Sequence, residues 1–293
     1  MSDIFLHGIQ NATVDDGARP ITTVRSSTIG LIGSAPEADP LIFPLNKPVL
    51  IAGSRTLAAK LGETGTLPQA LDSIFDQIGA VVIVVRIDEE ETAPATLANV
   101  IGGVDANTGT YEGVHAFLAS ENITGFVPKI LIAPGFTHTR TEAVGETPAT
   151  SNPVVAELIG IAERLKAVIV ADGPNTNDAD AIAYSEDFGS KRVFLVDPKV
   201  LKSVAGETSQ EWASACVAGL IAKSDNDRGW WWSPSNQEIN GIVGTARAID
   251  FAMGDANCRA NLLNEKNIAT IIRQQGYRLW GNRTLSSDSK WAF

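Results

Sequence analysis

Short runs of aliphatic and β-branched residues recur along the chain, separated by segments with helical spacing. The run VVIVVRI at 81–87 is apolar at almost every position. That is the pattern of a strand covered on both faces, not one. Residues 29–32, 49–52, 127–133, 167–171, 192–196 and 269–272 read as further buried strands. Several stop at turn residues: Gly33-Ser34, Pro134-Gly135, Asp172-Gly173-Pro174 and Asp197-Pro198. Residues 56–61, 67–78, 92–101, 113–120, 154–165, 179–188 and 212–222 read as helices, and another ends at 262–265. Leu67, Leu71, Ile74, Phe75 and Ile78 form one apolar stripe, and Val154, Leu158, Ile161 and Leu165 form another. Strands alternating with helices at this spacing predict parallel βαβ units with right-handed crossovers. The expected fold is α/β: a three-layer, doubly wound, mostly parallel sheet with a smaller N-terminal α/β domain.

The pattern also divides the chain. Residues 1–27 read as an extended N-terminal arm, with Ile4, Phe5, Leu6 and Ile9 as its apolar positions. The arm is too short to bury itself and needs a partner strand or groove, in its own chain or a neighbour's. Residues 28–110 read as the small α/β domain, 111–280 as the larger one and 281–293 as a linker. The polar, Thr-rich segment 137–151 reads as a mobile, outward-facing loop.

Composition narrows the classes. A chain of 293 residues with 44% hydrophobic and 19% charged residues is ordered and long enough for more than one domain. A net charge of −11 argues against nucleic acid and against an anionic membrane as partner. The N-terminal MSDIFLHGIQ lacks a signal-peptide pattern, and no apolar run approaches the roughly 20 residues of a membrane span. Cys216 and Cys258 match no metal or redox spacing, and Cys216, within ASACVAGLIA, reads as a buried small hydrophobe. No cofactor or metal is expected.

Candidate chemistry is sparse. Asp172 and Asp197 each follow a predicted parallel strand, the edge where open α/β sheets bind ligands. They are the basis of one reading, a hydrolase or small-ligand-binding protein. Against it, Asp is favoured at both places by local turn hydrogen bonding. A triad of Asp172, His138 and a downstream serine can be drawn, but nothing selects the serine, and no G-x-S-x-G elbow is present. Gly30 and Gly33 lack the remainder of a dinucleotide or phosphate-loop motif. Asp88-Glu89-Glu90-Glu91 reads as a solvated loop or helix N-terminus.

Two strings are less ordinary. In RGWWWSPSN, Arg228 to Asn236, three consecutive tryptophans on a strand cannot share one side, so at least one must leave the local core. In GYRLWGNRTLSSD, Gly276 to Asp288, Tyr277, Arg278, Trp280 and Arg283 crowd into seven residues. That mixture suits a strand leaving a core to meet a second surface, with aromatic bodies buried and arginine heads paired to carboxylates. Trp231, Arg278, Trp280 and Arg283, with Ile4, Phe5, Leu6 and Ile9, are therefore the candidate interface residues.

Taken in order, these blocks resemble the contractile tail sheath proteins of temperate enterobacterial phages. The resemblance rests on GARPITTVRSSTIGLIG from Gly17, PLNKPVLI from Pro44, VPKILIAPG from Val127, GWWWSPSNQEINGIVG from Gly229, LLNEKNIATIIR from Leu262 and the Gly276 block. It implies a subtilisin-like topology without enzymatic activity. It implies a structural role in the virion tail, assembled in the host bacterial cytoplasm. Copies would form stacked six-fold rings around a tail tube, on a baseplate, and contract to drive the tube through the host envelope. The implied partners are neighbouring sheath subunits, the tail tube protein and the baseplate. Neighbours would be joined by strand exchange through terminal arms. Family members continue beyond the Gly276 block, so 281–293 reads as a linker into a C-terminal polymerisation domain missing here. The 293-residue chain by itself is then expected not to build a sheath, and electron microscopy showing long tubes of it would refute this.

Overall fold

The computed structural model describes residues 26–141, 150–204 and 206–288. The arm positions Ile4, Phe5, Leu6 and Ile9 and the centre of the 137–151 loop lie outside the described residues. The chain runs through β1 (Ile29–Ser34), β2 (Pro48–Ala52), α1 (Arg55–Ala58), α2 (Thr66–Phe75), β3 (Val81–Ile87) and α3 (Ala93–Ile101). A small ribbon, β4 (Gly103–Val104) and β5 (Tyr111–Glu112), leads through a 3-10 segment (Gly113–Ala119) into α4 (Ser120–Thr124). Next come β6 (Ile130–Ile132), α5 (Pro153–Leu165), β7 (Val168–Asp172), α6 (Asp178–Ser185) and β8 (Val193–Val196). A hairpin, β9 (Val200–Val204) and β10 (Glu207–Glu211), precedes α7 (Ala213–Arg228), and β11 (Gly244–Thr245) returns to pair with β9. The chain then forms α8 (Arg259–Glu265), β12 (Ile268–Arg273) and β13 (Tyr277–Trp280).

One eight-stranded sheet organises the molecule, in the order β13-β12-β8-β7-β6-β1-β3-β2. The six inner strands are parallel, and each edge is closed by an antiparallel strand. The chain starts in the middle at β1, steps outward to β3, then crosses to β6 and proceeds the other way. The outer edge of β13 is itself paired by the segment 236–239. Asn236 N–H donates to Leu279 O (2.6 Å), Ile239 N–H to Tyr277 O (2.8 Å) and Leu279 N–H to Gln237 O (3.1 Å).

Side chains alternate between two cores, as the strand period requires. In β7 and β8, Val170, Phe194 and Val196 face one core, while Ile169, Ala171, Val193 and Leu195 face the other. The first core is roofed by α2 and α7, the second by α3, α5, α6 and α8. These are the three layers the periodicity predicts. α7 fits its layer because it is built of small residues: Ala213, Ser214, Ala215, Cys216, Ala218 and Gly219 are all buried. A Cβ on Gly219 would lie 2.8 Å from Ile74 O and 3.0 Å from Ile74 Cα, so α2 and α7 touch nearly backbone to backbone. Burial pushes the Cys216 thiol up to about 12, consistent with a small hydrophobe.

Several expectations change. The 29–34 strand hydrogen-bonds to β3 on one side and β6 on the other, so one sheet runs through both expected domains, 28–110 and 111–280. The polar β9–β10 hairpin carries almost no apolar periodicity, so it left no strand signal in the sequence. α7 extends six residues past 222, to Arg228, because its exposed last turns tolerate polar residues. The three tryptophans follow α7 in a turn, so the strand-alternation argument does not apply to them. Within 281–293, Thr284 and Leu285 are buried, and Leu285 N–H donates to Val193 O (2.8 Å).

Gly219→Val is expected to destabilise the fold by roughly 1–3 kcal/mol, because the α2–α7 approach leaves no room for a branched side chain. A lowered urea midpoint with an unchanged m-value checks this.

Candidate functional site

Both strand-end aspartates lie where the sequence placed them, and both are about 1% exposed. Asp172 ends β7 and points at the N-terminus of α7. Trp212, the N-cap residue of α7, makes no side-chain capping bond. Asp172 supplies the cap from another element: its Oδ1 accepts from Ser214 N (2.8 Å) and its Oδ2 from Ser214 Oγ (2.6 Å). Asp172 N–H in turn donates to Thr137 Oγ1 (3.0 Å). The Tyr184 hydroxyl donates to Thr137 O and holds that loop against α6. Burial outweighs these donors and pushes the Asp172 carboxyl up to about 7.

His138 does come near this cluster. Its ring stacks on Trp212 with centroids 4.0 Å apart, and Lys199 Nζ sits 3.6 Å from the Trp212 centroid. Burial, then the nearby Lys199 charge, push His138 down to about 4, so it is neutral at pH 7. Ser214 is the serine that sequence alone could not select. It is fully buried and spends its hydroxyl proton directly on the carboxylate. A nucleophilic serine needs a base that takes this proton, and an accessible oxygen. The geometry here is that of a cap holding β7, the 137 loop and α7 together.

Asp197 is used differently. Its carboxylate is paired with Arg247 and accepts from Asn175 N (2.8 Å). Arg247 also bridges to Asp178, which Arg259 Nε meets at 2.8 Å. A Cβ on Gly173 would fall 2.7 Å from Asp197, so the backbone closes over this pair. The network ties β8, α6, α8 and the 246–250 segment into one unit. The two aspartates therefore stand at the ligand edge of the sheet, but their oxygens are taken by internal partners.

The described candidate interface residues, Trp231, Arg278, Trp280 and Arg283, lie away from these aspartates, in two clefts and on β13. Trp230, Trp231 and Trp232 are 69%, 69% and 54% exposed in an otherwise well-packed body. They wall a groove of about 890 Å³ that also takes in Ser26, Asn282 and Thr284, where the described chain begins and nears its end. Trp280 and Arg283 line a smaller, polar cleft of about 460 Å³ with Ser235, Asn261, Asn264 and Glu265. Trp280 packs edge-on against Phe251 (4.7 Å). Arg278 stays on β13, where its guanidinium donates to Gln274 O (3.0 Å) and Asn236 O (2.8 Å). Those partners are backbone carbonyls, not the expected carboxylates, because the loop 236–239 lies against the β13 edge and presents its backbone there. Among the described residues, no group of acids, cysteines and histidines could hold a metal ion, and no helix is long and apolar enough to cross a membrane.

Fold and site together define a rigid α/β block whose strand-end carboxylates tie its own elements and whose conspicuous aromatics lie at its surface. Comparison with known proteins makes the assignment specific. Residues 109–285 match the phage tail sheath protein central domain, and residues 26–87 match the tail sheath protein Gp18 domain III N-terminal region. The chain is 45% identical over 292 residues to a putative prophage major tail sheath protein of Pseudomonas aeruginosa (strain UCBPP-PA14), covering 99% of this chain and 72% of that one. It is 36% identical over 303 residues to the tail sheath protein of Escherichia phage P2, covering 100% and 72%. Among solved structures, it resembles the contracted helical sheath of the anti-feeding prophage, with TM-score 0.59 and 17% identity over 98% of this chain and 71% of that one. It resembles the contracted PVC sheath of an extracellular contractile injection system equally, with TM-score 0.59 and 16% identity over 100% and 70%. The chain belongs to the contractile phage tail sheath family.

Two outcomes follow from the buried aspartates. Asp172 has a raised folded-state pKa, so its contribution to stability is present below the unfolded value near 3.8 and is lost as pH rises through about 7. Asp172→Asn should remove that fall, worth up to about 4 kcal/mol, from the stability profile between those pH values. Urea titrations of both proteins at pH 4.5 and 7.5 check it. Arg247→Ala should cost about 3–5 kcal/mol by leaving Asp197 buried without its cation, read as a lowered Tm.

Proposed function

We propose that this chain is a structural subunit of a contractile tail sheath. Copies polymerise as stacked, helical six-membered rings around a tail tube seated on a baseplate. Contraction of the rings drives the tube through the host envelope. The tail assembles in the host bacterial cytoplasm and becomes part of the virion. The single observation that carries this reading is the 45% identity to a tail sheath protein along 99% of the chain.

The geometry supports a mechanical role. The body is a doubly covered sheet whose β13 edge is paired by segment 236–239, which resists deformation and moves as a unit. Its oxygens at the usual ligand edge are satisfied internally, while its exposed aromatics share a groove with Ser26, Asn282 and Thr284, near the two ends of the described chain. In this reading residues 1–27 are an arm that adds a strand to a neighbour's sheet, and 281–293 are a linker. Trp231, Arg278, Trp280 and Arg283 belong to the contact surface beside those ends. Such covalently tethered contacts let rigid bodies re-pack between two arrangements without coming apart. The subtilisin-like topology is part of the same proposal; the single switch point between β1 and β6 supports it.

Immunogold electron microscopy of tails from cells carrying this gene tests the proposal. Antibody to the chain should decorate the sheath along its whole length and the shortened sheath after contraction. Label confined to the capsid or the tail tip would overturn it.

A further inference from the structure

The two ends of the sheet are chemically unlike. The parallel strands β6, β7, β8 and β12 are each preceded by cations: Lys129, Lys166, Lys191 with Arg192, and Lys266. Lys129 and Lys166 lie on the tryptophan-walled groove, whose floor includes Ile221. These cations are close neighbours, since the charges of Lys166 and Arg192 both act on Lys129. The acids on this end include Glu121, whose charge acts on Lys129, Asp225 in the groove, engaged by Ser26, and Glu163, paired with Arg192. The groove thus combines a large exposed aromatic surface with a cationic rim.

The opposite end carries the reverse. β1 leads into a loop with Glu37 and Asp39, and β3 leads into Asp88-Glu89-Glu90-Glu91, all four of them exposed. Leu41 projects from the same loop and is 92% exposed, more than any other large hydrophobic residue described. Its presentation is fixed. Leu41 N–H donates to Asp39 Oδ1 (3.0 Å) and Phe43 N–H to Asp39 O (2.8 Å). Phe43 is fully buried beneath, and Arg86 Nε donates to Phe43 O (2.6 Å). Asn46 N–H donates to Arg86 O (2.8 Å), which joins this loop to the end of β3 beside the acidic run. A pre-ordered apolar knob faces one way, on a loop where the acids outnumber the exposed Lys47 and Lys60, and an apolar groove edged by Lys129, Lys166 and Asp225 faces the other.

We infer that copies of this chain meet head to tail, with the Leu41 turn and its acidic surround in one copy seated in the Trp230–Trp232 groove of the next. This rests on the reading above that copies polymerise, and it names the surface. Charge complementarity and the shape of the two patches select a second copy as the occupant. The patches lie at opposite ends of parallel strands, so two copies cannot satisfy both by facing each other. The contact is heterologous, so it passes from each copy to a further one. The groove lies under β6, β7 and β8 and the knob above β1 and β3, an offset of two or three strands, or roughly 10–15 Å at the usual strand spacing.

The test is sedimentation velocity of the 293-residue chain at low ionic strength. The wild type should form short head-to-tail oligomers, not tubes, whose size rises with concentration and falls with added salt. Leu41→Ser, at an exposed position, should weaken association at least tenfold while leaving the Tm unchanged. The double variant Trp231→Ala/Lys166→Glu should do the same. Mixed one to one, the two variants retain one good patch each and should form dimers that grow no further. A wild type that stays monomeric at high micromolar concentration overturns the inference, as does a mixture that forms no dimer. If both variants assemble as the wild type does, another surface joins the copies. The head-to-tail assignment then falls while the sheath-labelling experiment still decides the proposed function.

Discussion

Each inner strand of the sheet carries apolar side chains on both sides, so neither face can meet water. Helices must cover both faces, and their own chemistry follows from how close they must come. α7 lies on β6 and β7 and against α2, and its buried positions there are mostly alanine, serine, cysteine and glycine. A helix with ten buried positions and little amphipathic stripe then needs its free N–H groups satisfied from outside its own sequence. Asp172 does this from the end of β7. The buried carboxylate, which in another α/β protein would face a substrate, is here the fastener between sheet and helix layer.

With both faces consumed, polar and charged groups are left to the strand ends, the loops and the outer helix surfaces. There the parallel arrangement separates them: lysines and arginines precede several strands, and acids follow others. The sheet also lacks a free edge at β13, where segment 236–239 pairs with the outer strand. An assembly of such bodies can use strand ends and terminal arms for contact, and it can change the packing between bodies without disturbing the packing inside them. In the proposed sheath role, that separation of a packed interior from polar ends lets neighbours shift while each body stays folded.

The two aspartate sites show why fold does not settle function. Asp172 and Asp197 stand at the edge where doubly wound sheets bind ligands, with a histidine, a lysine and a serine within reach of Asp172. The arrangement of protons decides the matter: Ser214 donates to the carboxylate, and Arg247 neutralises Asp197 from inside.

The order of strands and helices was legible in the sequence because burial on two faces leaves continuous runs such as 81–87, and burial on one face leaves stripes such as Leu67, Leu71 and Ile74. The family was legible in the blocks around Trp230 and Gly276, where aromatic, cationic and turn residues crowd together. The β9–β10 hairpin was not legible, because β10 is polar and exposed and β9 buries a lysine among its few apolar residues, and the antiparallel pairing of β13 was not, because strand direction is set by partners distant in the chain. Tertiary structure alone decided that Ser214 is the partner of Asp172, that one sheet unites residues 28–110 with 111–280, and that Leu41 and the tryptophans occupy opposite ends of it. Local sequence fixes what a segment buries; which segments meet depends on closing long loops around a shared core, and that information is spread over the whole chain.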